Sequence, residues 1–336
     1  MSIIMSPFMS LSISILIISS LLAMSSSNWI MLWVSMEINL LSFIPIILYS
    51  NLNQETEGAI KYFLAQAFGS SILLMMSTSL WLLNSIYSNF IYFFLVVALM
   101  MKLGSVPCHF WYPSVMSSIS WMSCLILTTW QKLAPLSIII FLLVQKSNLL
   151  LSIIGALNAM IGGMLGMNQS KMRNIMAYSS IGHIGWMLSL ASIIMPMASI
   201  IYFIIYMTLI IPIFLIAHFF NIYSSKKMTK MVSYYPLTIL MFSMFMLSLA
   251  GLPPLTGFIP KLMSIFLLMD KSIFIVIMLI VGSMMNLFFY LNIIINMLIT
   301  PKTIFYFWPN SNIFNLKNMM LLLASMSIIF VPVIFL

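Results

Sequence analysis

Residues 101–113 read MKLGSVPCHFWYP, and residues 126–136 read ILTTWQKLAPL. These two segments place Lys102 and Lys132 among residues that are typical of the hydrocarbon core of a membrane. Only 5% of the chain is charged, and an ammonium group at the centre of a membrane helix costs about 2.5–3.5 kcal/mol. Helix-breaking residues follow the first lysine: Gly104, Pro107 and Pro113. Broken helices beside buried charge are typical of transporters, so the stretch predicts a functional site at membrane depth.

The composition indicates the class of protein. Of the 336 residues, 63% are hydrophobic, whereas ordinary soluble domains carry about 25% charged residues, so a soluble fold is excluded. Apolar runs extend to about twenty residues, as in membrane helices, and lack the alternation of barrel strands. The net charge of +9 is dispersed through loops without any nucleic-acid motif. We therefore expect an all-α polytopic membrane protein with no nucleic-acid partner.

About eleven apolar segments of helix length can be recognised. They cover residues 3–24, 29–49, 59–83, 90–111, 120–144, 149–167, 175–194, 198–220, 235–268, 273–299 and 319–336. If the N-terminus lies on side A, the loops on that side contain these basic residues: Lys61, Lys171, Arg173, Lys226, Lys227, Lys230, Lys302 and Lys317. Side B receives only Lys146 and Lys271. The asymmetry supports eleven crossings, with the N-terminus on the positive-inside face and the C-terminus opposite.

The fourth and ninth segments each carry helix breakers beside a lysine. In the ninth segment they precede Lys261: Gly251, Pro253, Pro254, Gly257 and Pro260. Two broken helices five positions apart predict two five-helix repeats, 3–144 and 149–299, and because five is odd the second is inverted. A C-terminal helix at 319–336 completes a single membrane domain, residues 1–336. Small-residue spacing also permits close contacts with other helices at two pairs of glycines: Gly162 and Gly166, and Gly182 and Gly185.

Four ionisable groups are predicted at mid-depth in the membrane: Glu37, Lys102, Lys132 and Lys261. A carboxylate and an ammonium about 4 Å apart interact by about 4 kcal/mol at an effective dielectric near 20. Moving one proton across the membrane costs about 2.3 kcal/mol per 100 mV. The energy of making or breaking a Glu37–Lys102 pair is therefore large enough to drive proton release. The alternative is that the lysines extend to the membrane interface and Glu37 merely pairs with one of them.

His183 is predicted in the middle of the seventh segment, beside Tyr178 and Ser179. A histidine at this depth can pass protons at physiological pH, although a neutral, hydrogen-bonded core histidine is an equal alternative. Three acidic residues are expected to be solvated in loops: Glu55, Glu57 and Asp270. No metal-ligand spacing, phosphate-binding loop, nucleophile motif or dinucleotide fingerprint is present.

Six segments together resemble the antiporter-like membrane subunits of mitochondrial NADH–ubiquinone oxidoreductase, which is respiratory complex I. They are WVSMEINLLSFIP, EGAIKYFLAQA, MKLGSVPCHFWYP, TTWQKLAPLS, NQSKMRNIMAYSSIGHIGWML and LAGLPPLTGFIPKL, in the expected order. The resemblance implies that Glu37 is a carboxylate paired with Lys102. It also implies that Lys132 is the central proton carrier and that Lys261 lies toward the exit half-channel.

The resemblance implies a function as well. The chain is expected to be a core membrane subunit of the H⁺-translocating NADH:ubiquinone reductase, in the mitochondrial inner membrane, with the N-terminus on the matrix side. Protons would move through the buried Glu/Lys relay, driven by quinone reduction elsewhere in the complex. NAD, FMN, iron–sulfur clusters and ubiquinone would be bound by partner subunits, and no redox site or cofactor is expected in this chain. Its partners would be neighbouring antiporter-like and small membrane subunits, together with membrane lipids.

Two other functions remain open from the residues. A stand-alone cation/proton antiporter with the same fold would exchange ions without partners. A purely structural membrane subunit would use its lysines only to pair with neighbours. Purification of the chain alone, and substitution of Lys132, would separate these three alternatives.

Overall fold

The structure, a computed structural model, describes residues 7–50, 52–82, 88–143, 148–222, 236–253 and 255–299. The regular elements in these ranges are helices, and no β-strand occurs among them. The predicted all-α membrane fold is therefore confirmed. Seven helical spans in the described ranges are long and apolar enough to cross a membrane, and one of them, Trp121–Leu142, includes the two short helices Trp121–Thr128 and Trp130–Ile138. The count of eleven crossings stays a prediction, and the eleventh segment, 319–336, lies outside the described residues.

The chain forms two compact units, Met1–Ile154 and Gly155–Leu336. The helices of the first unit are α1 (Pro7–Ser25), α2 (Trp29–Ile47), α3 (Asn53–Leu82), α4 (Ser88–Leu103), α5 (Trp111–Ser118), α6 (Trp121–Thr128) and α7 (Trp130–Ile138). Helix α8 (Asn148–Met167) contains the division. The second unit continues with α9 (Met172–Ser192), α10 (Pro196–Phe219), α11 (Pro236–Ala250), α12 (Phe258–Met269) and α13 (Ile273–Ile299). The repeats 3–144 and 149–299, and their inverted relation, stay predictions.

The first predicted break is present at the end of α4. Gly104 follows Leu103 with a φ of 69°, a conformation that glycine adopts without steric cost. The amide of Gly104 donates to the carbonyl of Met101 at 3.2 Å, and that of Ser105 donates to Met100 at 3.0 Å. This pair of bonds is the Schellman cap, which satisfies helix carbonyls that would otherwise lack donors. Glycine therefore ends α4 directly after Lys102.

The second predicted break has the same cap. Gly251 follows α11 with a φ of 82°, and its amide donates to the carbonyl of Ser248 at 3.0 Å. Pro113 and Pro260, which were expected to interrupt helices, do not do so. Each is the third residue of the helix that follows the break, where a missing amide hydrogen leaves no helical bond unmade. Two broken helices are confirmed, and the glycines mark the ends.

A third departure from helical geometry was not predicted. The single segment expected at 120–144 is divided at Thr129, which has φ −109° and ψ −73°. A π-helical stretch, Ile139–Leu143, then follows α7. Pro135 lies inside α7, and because proline has no amide hydrogen and its ring displaces the carbonyl four residues earlier, it distorts the preceding turn. That turn carries Lys132.

Glycines bring α8, α9 and α13 into direct backbone contact in the second unit. A Cβ on Gly185 would lie 2.5 Å from the carbonyl oxygen of Gly155, and one on Gly162 would lie 2.8 Å from that of Tyr178. A Cβ on Gly282 would lie 2.5 Å from the carbonyl oxygen of Ala159. Real side chains essentially never approach so closely, so the close helix contacts that the small-residue spacing permits are present.

The backbone of Gly257, at the start of α12, lies directly against the carbonyl group of Ser248. We expect Gly257→Ala to destabilise the second unit, because a Cβ would overlap this carbonyl and a backbone group cannot rotate away. Overpacking a dense interior costs about 1–3 kcal/mol or more. Gly69→Ala is the matched control, since its Cβ would meet atoms no closer than 3.4 Å. The midpoint temperature for thermal unfolding of the assembled complex should fall for Gly257→Ala alone. Equal midpoints for both variants would contradict this packing.

Candidate functional site

Lys102 occupies the last turn of α4, immediately before the first break. Its side chain is buried, with 6% of the residue exposed. The side-chain amide of Gln66, on α3, donates to the backbone carbonyl of Lys102 at 3.1 Å. A cation in this position faces the negative end of the helix dipole, which stabilises the charge. The break thus fixes where this ammonium group lies.

Glu37 lies on α2 and is half-buried. Its charge acts on Lys102 and on the phenol of Tyr62. Glu37 and Lys102, both within the described chain, do not form an ion pair closer than 4.0 Å. The pairing implied by the family resemblance is therefore a longer-range interaction in this conformation.

A cavity of about 10 Å³ lies beside Lys102. Its polar lining comes from Asn39, Tyr62, Gln66 and Gln131. Tyr62 donates its hydroxyl hydrogen to Oε1 of Gln131 at 3.4 Å. Oδ1 of Asn39 and Nε2 of Gln131 are buried and have no hydrogen-bond partner among the described protein groups. A cavity of this size with several polar groups suits one water molecule.

Lys132 follows Gln131 on α7, and only 2% of the residue is exposed. Its Nζ has no hydrogen-bond partner in the part of the chain that the structure describes. The ammonium lies 4.7 Å from the ring centroid of Tyr112, a cation–π distance. Gly104 packs against Tyr112, since a Cβ there would lie 2.8 Å from the tyrosine Cβ. The first break therefore also places the ring that faces Lys132.

Lys261 lies in the first turn of α12 and is 6% exposed. Its Nζ donates to the carbonyl of Ala250 at 2.6 Å and to that of Leu249 at 3.3 Å. The side chain passes over Gly251, where a Cβ would lie 2.8 Å from Nζ. The lysine of one half of the broken helix thus binds the carbonyl end of the other half. No more than 6% of Lys102, Lys132 or Lys261 is exposed, which favours the relay over the alternative in which the lysines extend to the interface.

His183 is buried in the middle of α9, as predicted. Its Nδ1 and the hydroxyl of Tyr202 are 3.0 Å apart. A second cavity of about 10 Å³ lies next to this pair, and it is also lined by Tyr206, Ser248 and Leu249. Because the carbonyl of Leu249 accepts a hydrogen bond from Lys261, histidine and lysine border the same region of the second unit.

The predicted residues fall into two sets, with Glu37, Lys102 and Lys132 in the first unit and His183 and Lys261 in the second. Sequence reasoning missed the neutral partners of these groups: Tyr62, Gln131, Tyr112 and Tyr202. Their signal in the sequence is a polar or aromatic residue at membrane depth within the quoted segments.

Glu55 contradicts the expectation of a solvated loop residue. It lies in the first turn of α3 and is 3% exposed, because the helix begins at Asn53, earlier than its apolar run. Glu57 is in the same helix but remains exposed and pairs with Lys61, and Asp270, at the end of α12, is exposed. Among the described residues, no group of three His, Cys, Asp or Glu side chains could hold a metal ion.

Comparisons with known proteins agree on one family. Residues 26–286 match the family described as NADH:quinone oxidoreductase/Mrp antiporter, TM. The chain is 59% identical to NADH-ubiquinone oxidoreductase chain 2 of Lumbricus terrestris, over 90% of this chain and 90% of that protein.

Two solved structures show the same fold. The first, respiratory complex I from Thermus thermophilus with bound aureothin, has a chain with a TM-score of 0.85 at 20% identity, covering 96% of this chain and 77% of that one. The second, an Mrp complex from Dietzia sp., gives a TM-score of 0.74 at 18% identity, covering 85% of this chain and 59% of that one.

Proposed function

Because this chain belongs to the NADH-ubiquinone oxidoreductase chain 2 family, we propose that Glu37, Lys102, Lys132, His183 and Lys261 form its proton relay. The chain is a multi-pass membrane subunit of H⁺-translocating NADH:ubiquinone oxidoreductase, respiratory complex I. Its partners are the other subunits of that complex. The antiporter-like membrane region moves protons, while electron transfer takes place elsewhere in the assembly.

Burial without an acid in contact supports the role of Lys132. The cost of desolvating a buried ammonium is several kcal/mol, more than the cation–π contact with Tyr112 returns. An ionisable group kept at such cost inside a membrane marks a proton or ion path by default. The buried Nζ of Lys132, without a hydrogen-bond partner among the described residues, is the observation that carries the proposal.

The first cavity supplies the connection between Lys102 and α7. One water bound by Asn39 and Gln131 would accept a proton from Lys102 and pass it toward Lys132. The carboxylate of Glu37 favours the charged form of Lys102 when the two groups are close. When the carboxylate moves away, Lys102 gives up its proton more readily. At about 4 Å this interaction is worth about 4 kcal/mol at an effective dielectric near 20, enough to oppose the roughly 2.3 kcal/mol that each proton costs per 100 mV.

The cofactors, the location and the orientation of the chain are part of the proposal. NAD, FMN, iron–sulfur clusters and ubiquinone are bound by partner subunits, and this chain contributes no redox site. The membrane is the mitochondrial inner membrane, a location that the relative's name supports. The basic residues of alternate loops support a matrix-side N-terminus and a C-terminus on the intermembrane-space side. Lipids are expected at the apolar outer faces of the helices.

A double-mutant cycle tests the relay. We expect Glu37→Gln to lower the rate of NADH-driven proton pumping about tenfold or more, because Lys102 loses the charge that controls it. Lys102→Met should lower pumping at least as much, and the double variant should be no worse than Lys102→Met alone, because coupled residues are not additive. The measurement is proton uptake by proteoliposomes containing the assembled complex. Effects that simply multiply would show that the two residues act independently.

A stand-alone cation/proton antiporter is the second candidate, favoured by the fold match to the Mrp complex. Such a protein would catalyse ion-coupled proton exchange without partners. Reconstitution of the purified chain and measurement of proton flux driven by a sodium or potassium gradient separates the two functions. We expect no ion-coupled flux from the chain alone.

A further inference from the structure

The hydrogen bond between His183 and Tyr202 is a feature that the lysine relay does not explain. The two groups lie on neighbouring helices, α9 and α10, with 3.0 Å between Nδ1 and the phenol oxygen. Only 5% of His183 and 1% of Tyr202 are exposed. A contact this deeply buried restricts the orientation of the imidazole ring, because dense packing around it limits the side-chain rotamers.

We propose that Tyr202 is a positioning residue that keeps Nδ1 of His183 hydrogen-bonded in both protonation states, so that the proton is exchanged at Nε2. This inference rests on the proposed role of His183 in proton transfer. Nε2 is then the atom of His183 that exchanges the proton, and Tyr202 is the side chain that determines this choice.

The chemistry of the two groups supports this assignment. A neutral imidazole has one donor and one acceptor nitrogen, whereas the protonated ring has two donors. If the proton is exchanged at Nε2, Nδ1 keeps its hydrogen in both states and donates it to the phenol oxygen of Tyr202 throughout the cycle. The hydrogen bond made by one ring nitrogen determines which nitrogen of the neutral ring carries the hydrogen.

The surroundings make a proton exchange at this ring useful. The ring of Tyr206 lies 5.0 Å from that of His183, and Tyr290, from α13, acts electrostatically on Tyr202. Toward α11 and α12 the cavity is bordered by Leu249, whose carbonyl accepts a hydrogen bond from Lys261. Within the described residues, the titratable groups near this ring are thus Tyr202, Tyr206 and Tyr290, with Lys261 hydrogen-bonded to the Leu249 carbonyl at the cavity border.

The test uses the assembled complex carrying Tyr202→Phe, reconstituted in proteoliposomes. Pumping is measured as protons moved per NADH oxidised across neutral pH, normalised to the amount of assembled complex. We expect the pH profile to move by about one unit toward lower pH, because the protonated ring loses a hydrogen bond that stabilises its charge. Tyr178→Phe, which removes a hydroxyl one turn earlier on α9 outside the cavity, should leave the profile unchanged.

A spectroscopic readout separates positioning from a loss of packing. Ring vibrations of histidine differ between the two neutral tautomers, and subtraction of the His183→Gln spectrum isolates this residue in infrared difference measurements. The wild-type complex should show a single tautomer, and Tyr202→Phe should show a mixture. Wild-type pH dependence and a single tautomer in Tyr202→Phe would overturn the inference.

Failure of this inference differs from failure of the relay. If His183→Gln lowers pumping while Tyr202→Phe behaves as wild type, His183 carries protons without Tyr202. If His183→Gln pumps normally, the proposed relay does not include this residue, and the assignment to Tyr202 is overturned with it.

Discussion

Proton transfer through the chain is expected to fall about a hundredfold or more when Lys132 is replaced by methionine. A positioned group that transfers protons contributes typically about 10²–10⁴ to the rate, and methionine has no proton to give. Because pumping is coupled to electron transfer, NADH oxidation by the complex should slow as well. The measurement is the initial rate of proton uptake by proteoliposomes, together with the rate of NADH oxidation.

The same substitution should leave assembly intact. Nζ of Lys132 makes no hydrogen bond within the described residues, so methionine leaves no donor or acceptor behind, and an apolar replacement of a buried charge is often neutral or stabilising. Leu133→Met is the matched control, because it adds the same side chain at the next position of α7 without changing charge. Normal pumping by Lys132→Met, with normal assembly, would make the chain a structural subunit.

Two substitutions of Lys261 should separate its structural and its chemical roles. Arginine keeps hydrogen-bond donors for the carbonyls of Ala250 and Leu249 but cannot be deprotonated in a protein. Methionine loses both bonds, and each hydrogen bond to a charged group is worth about 1.5–3 kcal/mol. We therefore expect Lys261→Arg to assemble well and Lys261→Met to assemble poorly. Both should lower pumping per assembled complex about a hundredfold.

The measurements for Lys261 are the amount of assembled complex, its thermal unfolding midpoint and its rate of proton uptake. Lys271→Arg serves as the control, since that lysine is exposed beyond the end of α12 and should change none of the three. A Lys261→Arg complex that pumps at the wild-type rate would show that Lys261 does not need to release its proton.

The two helix breaks were predictable from sequence because they depend on local chemistry. Gly104 and Gly251 adopt positive φ values that other residues reach only with strain, so their presence beside apolar runs marks the helix ends. The division of the predicted 120–144 helix at Thr129 was not predictable in the same way. Pro135 inside that segment is compatible with a distorted helix. The form of the distortion, a break before Lys132 and a π-helical stretch after it, depends on packing against neighbouring helices.

The candidate site was predicted for its charges and missed for its neutral groups. Lys102, Lys132 and Lys261 stand out because a charged residue in an apolar run has a large, local energetic cost. Tyr202 and Gln131 stand out less, since burying an uncharged polar group costs less than burying a charge and these residues gain their roles only from the residue opposite. That residue belongs to another helix, and a single sequence does not pair helices.

The glycine contacts among α8, α9 and α13 limit the movement of these helices in the second unit. Helices whose backbones touch at Gly155, Gly162 and Gly282 have no room to slide past one another by a turn, a displacement of about 5.4 Å in proteins that use it. We therefore expect proton transfer in this unit to proceed by rotation of side chains, while these three helices keep their register.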